Sequence, residues 1–165
     1  MPGPLSSHFV GTHALLDQAL RDCLCRPGQV DVPAFDRFRR LLLRHIAQEE
    51  RVLMPALTKK LGGPPLFRNA LRKDHAGFAA LCVPLPEREW VENLGELFAH
   101  HAALEEGPGG LYERCDEVLR DEAARVIAAA DALPPIELAP FNGGPWVREL
   151  LAEVLRATGI DGSGD

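Results

Sequence analysis

The chain of 165 residues contains one tyrosine, two tryptophans, two methionines and four cysteines. β-Branched residues are few, while Leu and Ala dominate, a balance that favours helix over strand. No basic block interrupts a net charge of −6, which argues against nucleic acid and anionic membrane as partners. No apolar run approaches the roughly 18 residues that a membrane-spanning helix requires. The opening Met1-Pro2-Gly3-Pro4 lacks a basic stretch followed by an apolar one, so no secretory signal is read there. Cys23 and Cys25 form a Cys-x-Cys on a helical segment, where their side chains point about 200° apart and suit neither one metal nor one disulfide. Cys82 and Cys115 stand alone. Structural or surface thiols in a reducing compartment are expected, and with them a cytoplasmic location.

What remains is ordinary for a globular protein: 46% apolar and 25% charged residues, enough for one domain with a real core. Apolar periodicity predicts a first helix over Leu5–Cys25, capped by Ser6 or Ser7, with the stripe Phe9, His13, Leu16, Leu20 and Leu24. Asp31-Val32-Pro33 starts a second long helix reaching Leu61, with Phe38, Leu42, His45, Glu49, Val52 and Ala56 on one face and Pro55 expected to bend it. Leu66–Val83 carries the stripe Leu71, His75, Phe78 and Cys82. Glu87–Glu106 carries Trp90, Leu94, Leu97, His101 and Glu105. Gly107-Pro108-Gly109-Gly110 breaks the chain, and Leu111–Ala132 is read as helical again, with Leu111, Cys115, Val118 and Ala123 inward. Residues 133–145 read as a Pro/Gly-rich loop. Trp146–Thr158 reads as a short amphipathic helix with Val147, Leu150, Leu151 and Val154 on one side, followed by a frayed tail. The expected fold is all-α. It is an up-and-down four-helix bundle within residues 1–132, and residues 133–165 pack on it or on a partner.

The charged and imidazole side chains on the apolar stripes carry the chemistry. A single inward histidine is usually an ordinary core residue, and one His-x3-Glu is usually a surface pair. Here His13 precedes His45-x3-Glu49, and His75 precedes His101-x3-Glu105, offsets of 62 and 56 residues. Four imidazoles and two carboxylates on inward faces carry a desolvation cost of several kcal/mol per charge unless something opposes them. A metal ion satisfies all six. Structural zinc prefers four ligands, often thiolates. Mixed imidazole and carboxylate ligands, two of them able to bridge, better suit a pair of iron or manganese ions.

The pattern His13, His45-x3-Glu49-Glu50, His75 and His101-x3-Glu105-Glu106 resembles the hemerythrin family, whose bacterial form is called the HHE cation-binding domain. The resemblance covers about Ser7–Leu111. It implies a non-haem centre of two iron ions, oxo- or hydroxo-bridged, with manganese or zinc as substitutes. Glu49 and Glu105 would bridge and the four histidines would complete the ligand set. Two departures stand out. Oxygen-carrying members have a further histidine one turn after His75, where this chain has Ala79. They also use His-x4-Asp in the last helix, where this chain has His-x3-Glu. His101 is chosen over His100 because Leu94, Leu97 and Glu105 share its face. His8 is expected to be exposed, and Glu50 and Glu106 to stand behind the ligands or face solvent. Tyr112 is expected to serve structural packing, approaching the centre only if the Gly-rich break folds back.

Counting octahedral positions for two metals leaves about two open after the protein ligands and a bridging group, and Ala79 is read as leaving one of them free. Three functions fit. The centre binds or senses a small ligand such as O2 or NO, or handles iron; or it is an oxidoreductase acting on peroxide or nitric oxide; or its metal is structural only. No nucleophile with a partnered base, phosphate loop or nucleotide fingerprint is present. No fused output domain is read in the sequence, so a sensor is expected to act through a separate protein partner.

Overall fold

Proline and glycine set most helix ends. The computed structural model describes residues 1–158, excluding the side chains at 151, 154, 155, 157 and 158. The expectations for Leu151, Val154 and the tail at 161–165 lie outside what is described. All regular elements among the described residues are helical. They are α1 (Pro4–Cys23), α2 (Val32–Gln48), a π-helical turn (Glu49–Leu53), α3 (Met54–Leu61), α4 (Arg68–Leu81), α5 (Arg88–Glu106), α6 (Leu111–Val118), a 3-10 turn (Arg120–Glu122), α7 (Ala123–Asp131) and α8 (Pro145–Thr158). None of the described helices is long and apolar enough to cross a membrane.

The core falls into two apolar clusters separated by the histidine layer. Leu16, Phe38, Leu42, Phe78, Leu94 and Leu97 belong to one; Phe9, Leu53, Leu57, Leu71, Leu111 and Cys115 belong to the other. On α1 the chain passes from the second cluster through His13 to the first. On α2 it runs from the first cluster through His45 and Glu49 to the second, and α4 and α5 reverse the sense again. That alternation is the up-and-down bundle expected from the short connections.

Three expectations change. The inward face after Glu49 is not Val52 and Ala56, which are only half-buried, but Leu53, Met54 and Leu57. The cause is the π turn, in which the Met54 N–H reaches back five residues to the Glu49 carbonyl. Pro55 has no N–H to donate to Arg51, and its ring crowds that carbonyl. Widening the preceding turn relieves the clash and rotates the following helix by one residue.

Neither Ser6 nor Ser7 caps α1. The helix begins at Pro4, and Asp116 of α6 accepts hydrogen bonds from the N–H groups of Gly3 (2.9 Å), Leu5 (2.9 Å) and Ser6 (3.2 Å), and from the Ser6 hydroxyl (2.5 Å). A Cβ on Gly3 would fall 2.4 Å from the Asp116 carboxyl carbon, so only glycine lets the carboxylate sit against this helix end.

Leu111–Ala132 is not one helix: it breaks at Leu119 and restarts after the 3-10 turn.

The Pro/Gly-rich segment lies against α2. Arg44 donates to the carbonyls of Leu133 and Asp131, both at 2.9 Å. The buried Arg39 donates to the Ala139 carbonyl at 2.9 Å and stacks over Phe141, 4.2 Å from its centroid. Val147 of α8 is fully buried in the first cluster, whereas Leu150 is exposed.

Candidate metal centre

His13, His45, Glu49, His75, His101 and Glu105 are all buried, and they meet at one level of the bundle. Two quartets form there: His13, His45, Glu49 and Glu105; and Glu49, His75, His101 and Glu105. Within each quartet one ligand atom per residue lies within 4.8 Å of the others. Both carboxylates belong to both quartets, and they divide their oxygens. Glu49 places Oε1 3.4 Å from His45 Nε2 and Oε2 3.2 Å from His75 Nε2. Glu105 places Oε2 3.3 Å from His13 Nε2 and Oε1 3.1 Å from His101 Nε2.

Carboxylates at the back of three rings set the proton positions. His13 Nδ1 donates to Glu106 Oε1 at 2.6 Å, His75 Nδ1 to Glu50 Oε1 at 3.0 Å, and His101 Nδ1 to Asp74 Oδ2 at 3.2 Å. Each bond leaves the Nε2 lone pair turned inward and raises its basicity. Glu50 and Glu106 thus stand behind ligand candidates, as their positions next to Glu49 and Glu105 suggest. Asp74 escaped the sequence reading, although its place immediately before His75 on α4 was a usable signal. His45 has no such partner, and its Nδ1 is buried without a hydrogen bond.

The inward atoms demand positive charge. His13 Nε2 and His45 Nε2 lie 2.9 Å apart, and two lone pairs repel at that distance unless a proton or a cation lies between them. Glu49 Oε2, His75 Nε2, His101 Nε2 and Glu105 Oε1 are buried with no hydrogen-bond partner. Each Nε2 of that half is close to a carboxylate oxygen without being aimed at it, as expected when ligands point to a shared ion. In the metal-free chain protons answer the demand. Burial alone would lower His101, but the Asp74 hydrogen bond and the adjacent Glu105 carboxylate outweigh it and raise it to about 10. Burial likewise opposes ionisation of Glu105, yet the adjacent His101 and His13 imidazoles hold it down at about 2. For His45 burial wins over the Glu49 charge, and its pKa falls to about 3. A cation in place of those protons satisfies the same atoms, so the donor set fits a metal.

Tyr112 overturns the packing-only expectation. Its hydroxyl lies 2.6 Å from Glu49 Oε1, 3.0 Å from Glu105 Oε2 and 3.0 Å from His13 Nε2. Burial and then the two glutamate charges raise its pKa well above 10. The Gly-rich break does fold back. Gly109 has φ +74°, and a Cβ on Gly110 would come within 2.5 Å of the Glu105 carbonyl oxygen. That close approach starts α6 against α1 and drives Tyr112 into the layer.

His100 is exposed, so His101 is the inward member of the pair. His8 is partly covered and lies 3.5 Å from Asp131, not fully exposed as its position suggested. Ala79 is exposed and Phe78 faces inward, 5.2 Å from the His101 ring. The third-helix position read as leaving coordination open therefore does not face the centre at all.

Comparison with curated proteins and with solved structures finds no match. The family model of the hemerythrin HHE cation-binding domain matches residues 10–108, a span that contains all six converging residues and the three carboxylates behind them. An all-helical bundle with a buried His/Glu cluster built to take a cation, matched over more than half its length, identifies the chain as a member of the hemerythrin HHE cation-binding domain family.

Proposed function

We propose that this protein holds a non-haem di-iron centre and uses it to bind a small ligand such as O2 or NO. His13 and His45 serve one iron and His75 and His101 the other, and Glu49 and Glu105 bridge the two. The observation that carries this reading is the division of each carboxylate's oxygens between the two quartets. A single-metal site has no use for it. Imidazole and carboxylate donors without thiolate favour iron or manganese over structural zinc. Metal analysis with the visible spectrum of the purified protein tests the reading. About two irons per chain are expected, falling by more than half in Glu49→Ala and Glu105→Ala. One metal per chain, or zinc alone, overturns it.

One observation favours an oxidoreductase working on peroxide or nitric oxide. The Tyr112 hydroxyl holds a proton against both carboxylates, where a reducible ligand would need one. Sustained peroxide consumption by the iron-loaded protein, lost in Tyr112→Phe, supports turnover; simple reversible binding supports the carrier or sensor reading. A spectrum indifferent to azide, nitric oxide and peroxide leaves a structural metal.

A further inference from the structure

Two cavities border the buried centre, and their linings differ in charge. The larger, about 590 Å³, meets the layer at Tyr112 and Glu106 and is lined further by Glu113, Asp116 and Glu117, with Arg120 the one basic residue. Tyr112 closes it from the metal layer, because its hydroxyl already contacts Glu49, Glu105 and His13. The smaller, about 130 Å³, is lined by Glu49 and His75 of the buried layer and by Glu50, Arg68 and Arg72. Glu49 Oε2 and His75 Nε2 are among the atoms buried without a hydrogen-bond partner. A neighbouring cavity of about 360 Å³ shares Glu50, Met54 and Arg68 with it and adds Lys59. Outside the buried layer the two cavities thus carry Arg68, Arg72 and Lys59 against the single carboxylate of Glu50, on a chain whose net charge is −6.

Arg68 and Arg72 stand one turn apart on α4, with His75 three residues further on. Neither guanidinium makes a hydrogen bond or ion pair among the described residues, whereas Arg39, Arg44 and Arg88 all do. Both cations stand beside a recess that ends on unpartnered buried ligand atoms. We propose that this recess is the path by which a small anion reaches the metal between Glu49, His75, His101 and Glu105, and that Arg68 and Arg72 select for its negative charge. The volume equals about four waters at their liquid share, so the ligand class is a small anion of up to about four heavy atoms. The Tyr112 side, closed by the phenol and lined with carboxylates, repels the same ligand.

This inference rests on the di-iron reading, and its test separates the two. The full chain is loaded with iron, its metal content is measured, and azide binding is followed in the visible spectrum. In Arg68→Glu/Arg72→Glu the azide association rate should fall about tenfold or more at low ionic strength, and the difference should shrink in about 0.5 M salt. Arg68→Lys/Arg72→Lys should restore most of the rate. Uncharged nitric oxide, added to the reduced protein, should change by less than about twofold, because charge selection does not act on it. Unchanged azide kinetics in an iron-replete charge-reversed variant overturn the basic path while leaving the di-iron reading intact. Equal losses for azide and nitric oxide also overturn it, since they mean that the arginines act by shape. A wild-type chain that takes up no iron removes both.

Discussion

The Tyr112 hydroxyl lies 2.6 Å from Glu49 Oε1, although 63 residues and three intervening helices separate the two in the chain. The phenol belongs to α6, outside the four helices that supply the histidines and glutamates. The centre thus has five contributing helices, and the fifth brings a group that can donate a proton.

Tyr112→Phe should leave the fold intact and alter the centre. Loss of a buried hydrogen bond between a hydroxyl and a carboxylate destabilises by about 1–3 kcal/mol, readable as a lower denaturant midpoint of the metal-free chain. The iron-loaded variant should show a shifted visible spectrum. Tyr112 is also the only tyrosine, so ultraviolet titration of the metal-free protein reads it alone. No phenolate should appear near pH 10 while the chain is folded, because burial and the neighbouring glutamates oppose it. Phenolate absorbance in the folded protein at pH 10 would show that the hydroxyl is not where these contacts place it.

Asp74→Asn should weaken metal binding by about 10- to 100-fold, the usual effect of removing a carboxylate behind a ligating histidine. His100→Ala, on the exposed side of the same helix as His101, should bind metal as the wild type does. Competition with a chelator of known affinity measures both. Equal losses from the two variants would mean that His101 is not the inward residue of the pair.

The metal-free chain should be most stable near neutral pH. His101 is raised to about 10, and His13 and His75 are also raised against the pull of burial by their glutamate partners. Their contribution is complete below the unfolded value of 6.5 and is lost as pH rises toward the folded values. His45 is lowered to about 3, so its contribution is present above 6.5 and lost as pH falls toward 3. Glu105, held at about 2, adds a further loss once pH drops below 4.5. Urea midpoints at pH 3.5, 7 and 9 check the sign, with the middle value highest. A midpoint that climbs steadily from pH 3.5 to 9 would contradict it.

Asp116→Ala should lower stability by about 0.5–2 kcal/mol, the range for loss of a helix N-cap. Hydrogen exchange should quicken at Leu5 and Ser6, whose N–H groups it accepts. Gly110→Ala should cost more, since its Cβ would strike the carbonyl oxygens of Glu105, Leu104 and Gly107. It should also pull Tyr112 from the layer, reproducing the spectral change of Tyr112→Phe. A Gly110→Ala protein with wild-type stability and spectrum would refute that role for the turn.

The sequence by itself determined the four helices that supply the histidines and the six residues that converge on the centre. Both follow from local periodicity: a residue that falls on an apolar stripe must face the core, and His13, His45, Glu49, His75, His101 and Glu105 each do so within their own helix. The choice of His101 over His100 rested on the same 100° step. Tertiary structure decided what periodicity does not encode. The π turn before Pro55 moved the inward face from Val52 and Ala56 to Leu53, Met54 and Leu57, because one extra residue in a turn resets every later position. Asp116 replaced a local serine as the cap of α1 from 110 or more residues away. Tyr112 entered the centre because the tight approach at Gly110 fixed the direction of α6, and Ala79 turned to solvent where a one-turn spacing alone placed it near the metal layer. The basic recess at Arg68 and Arg72 is likewise invisible in the chain, since an unpaired arginine on a helix surface reads like any solvated charge until its neighbours across the bundle are known. Local spacing fixes which way a side chain faces within its own helix; which distant groups it meets there depends on how the helices pack.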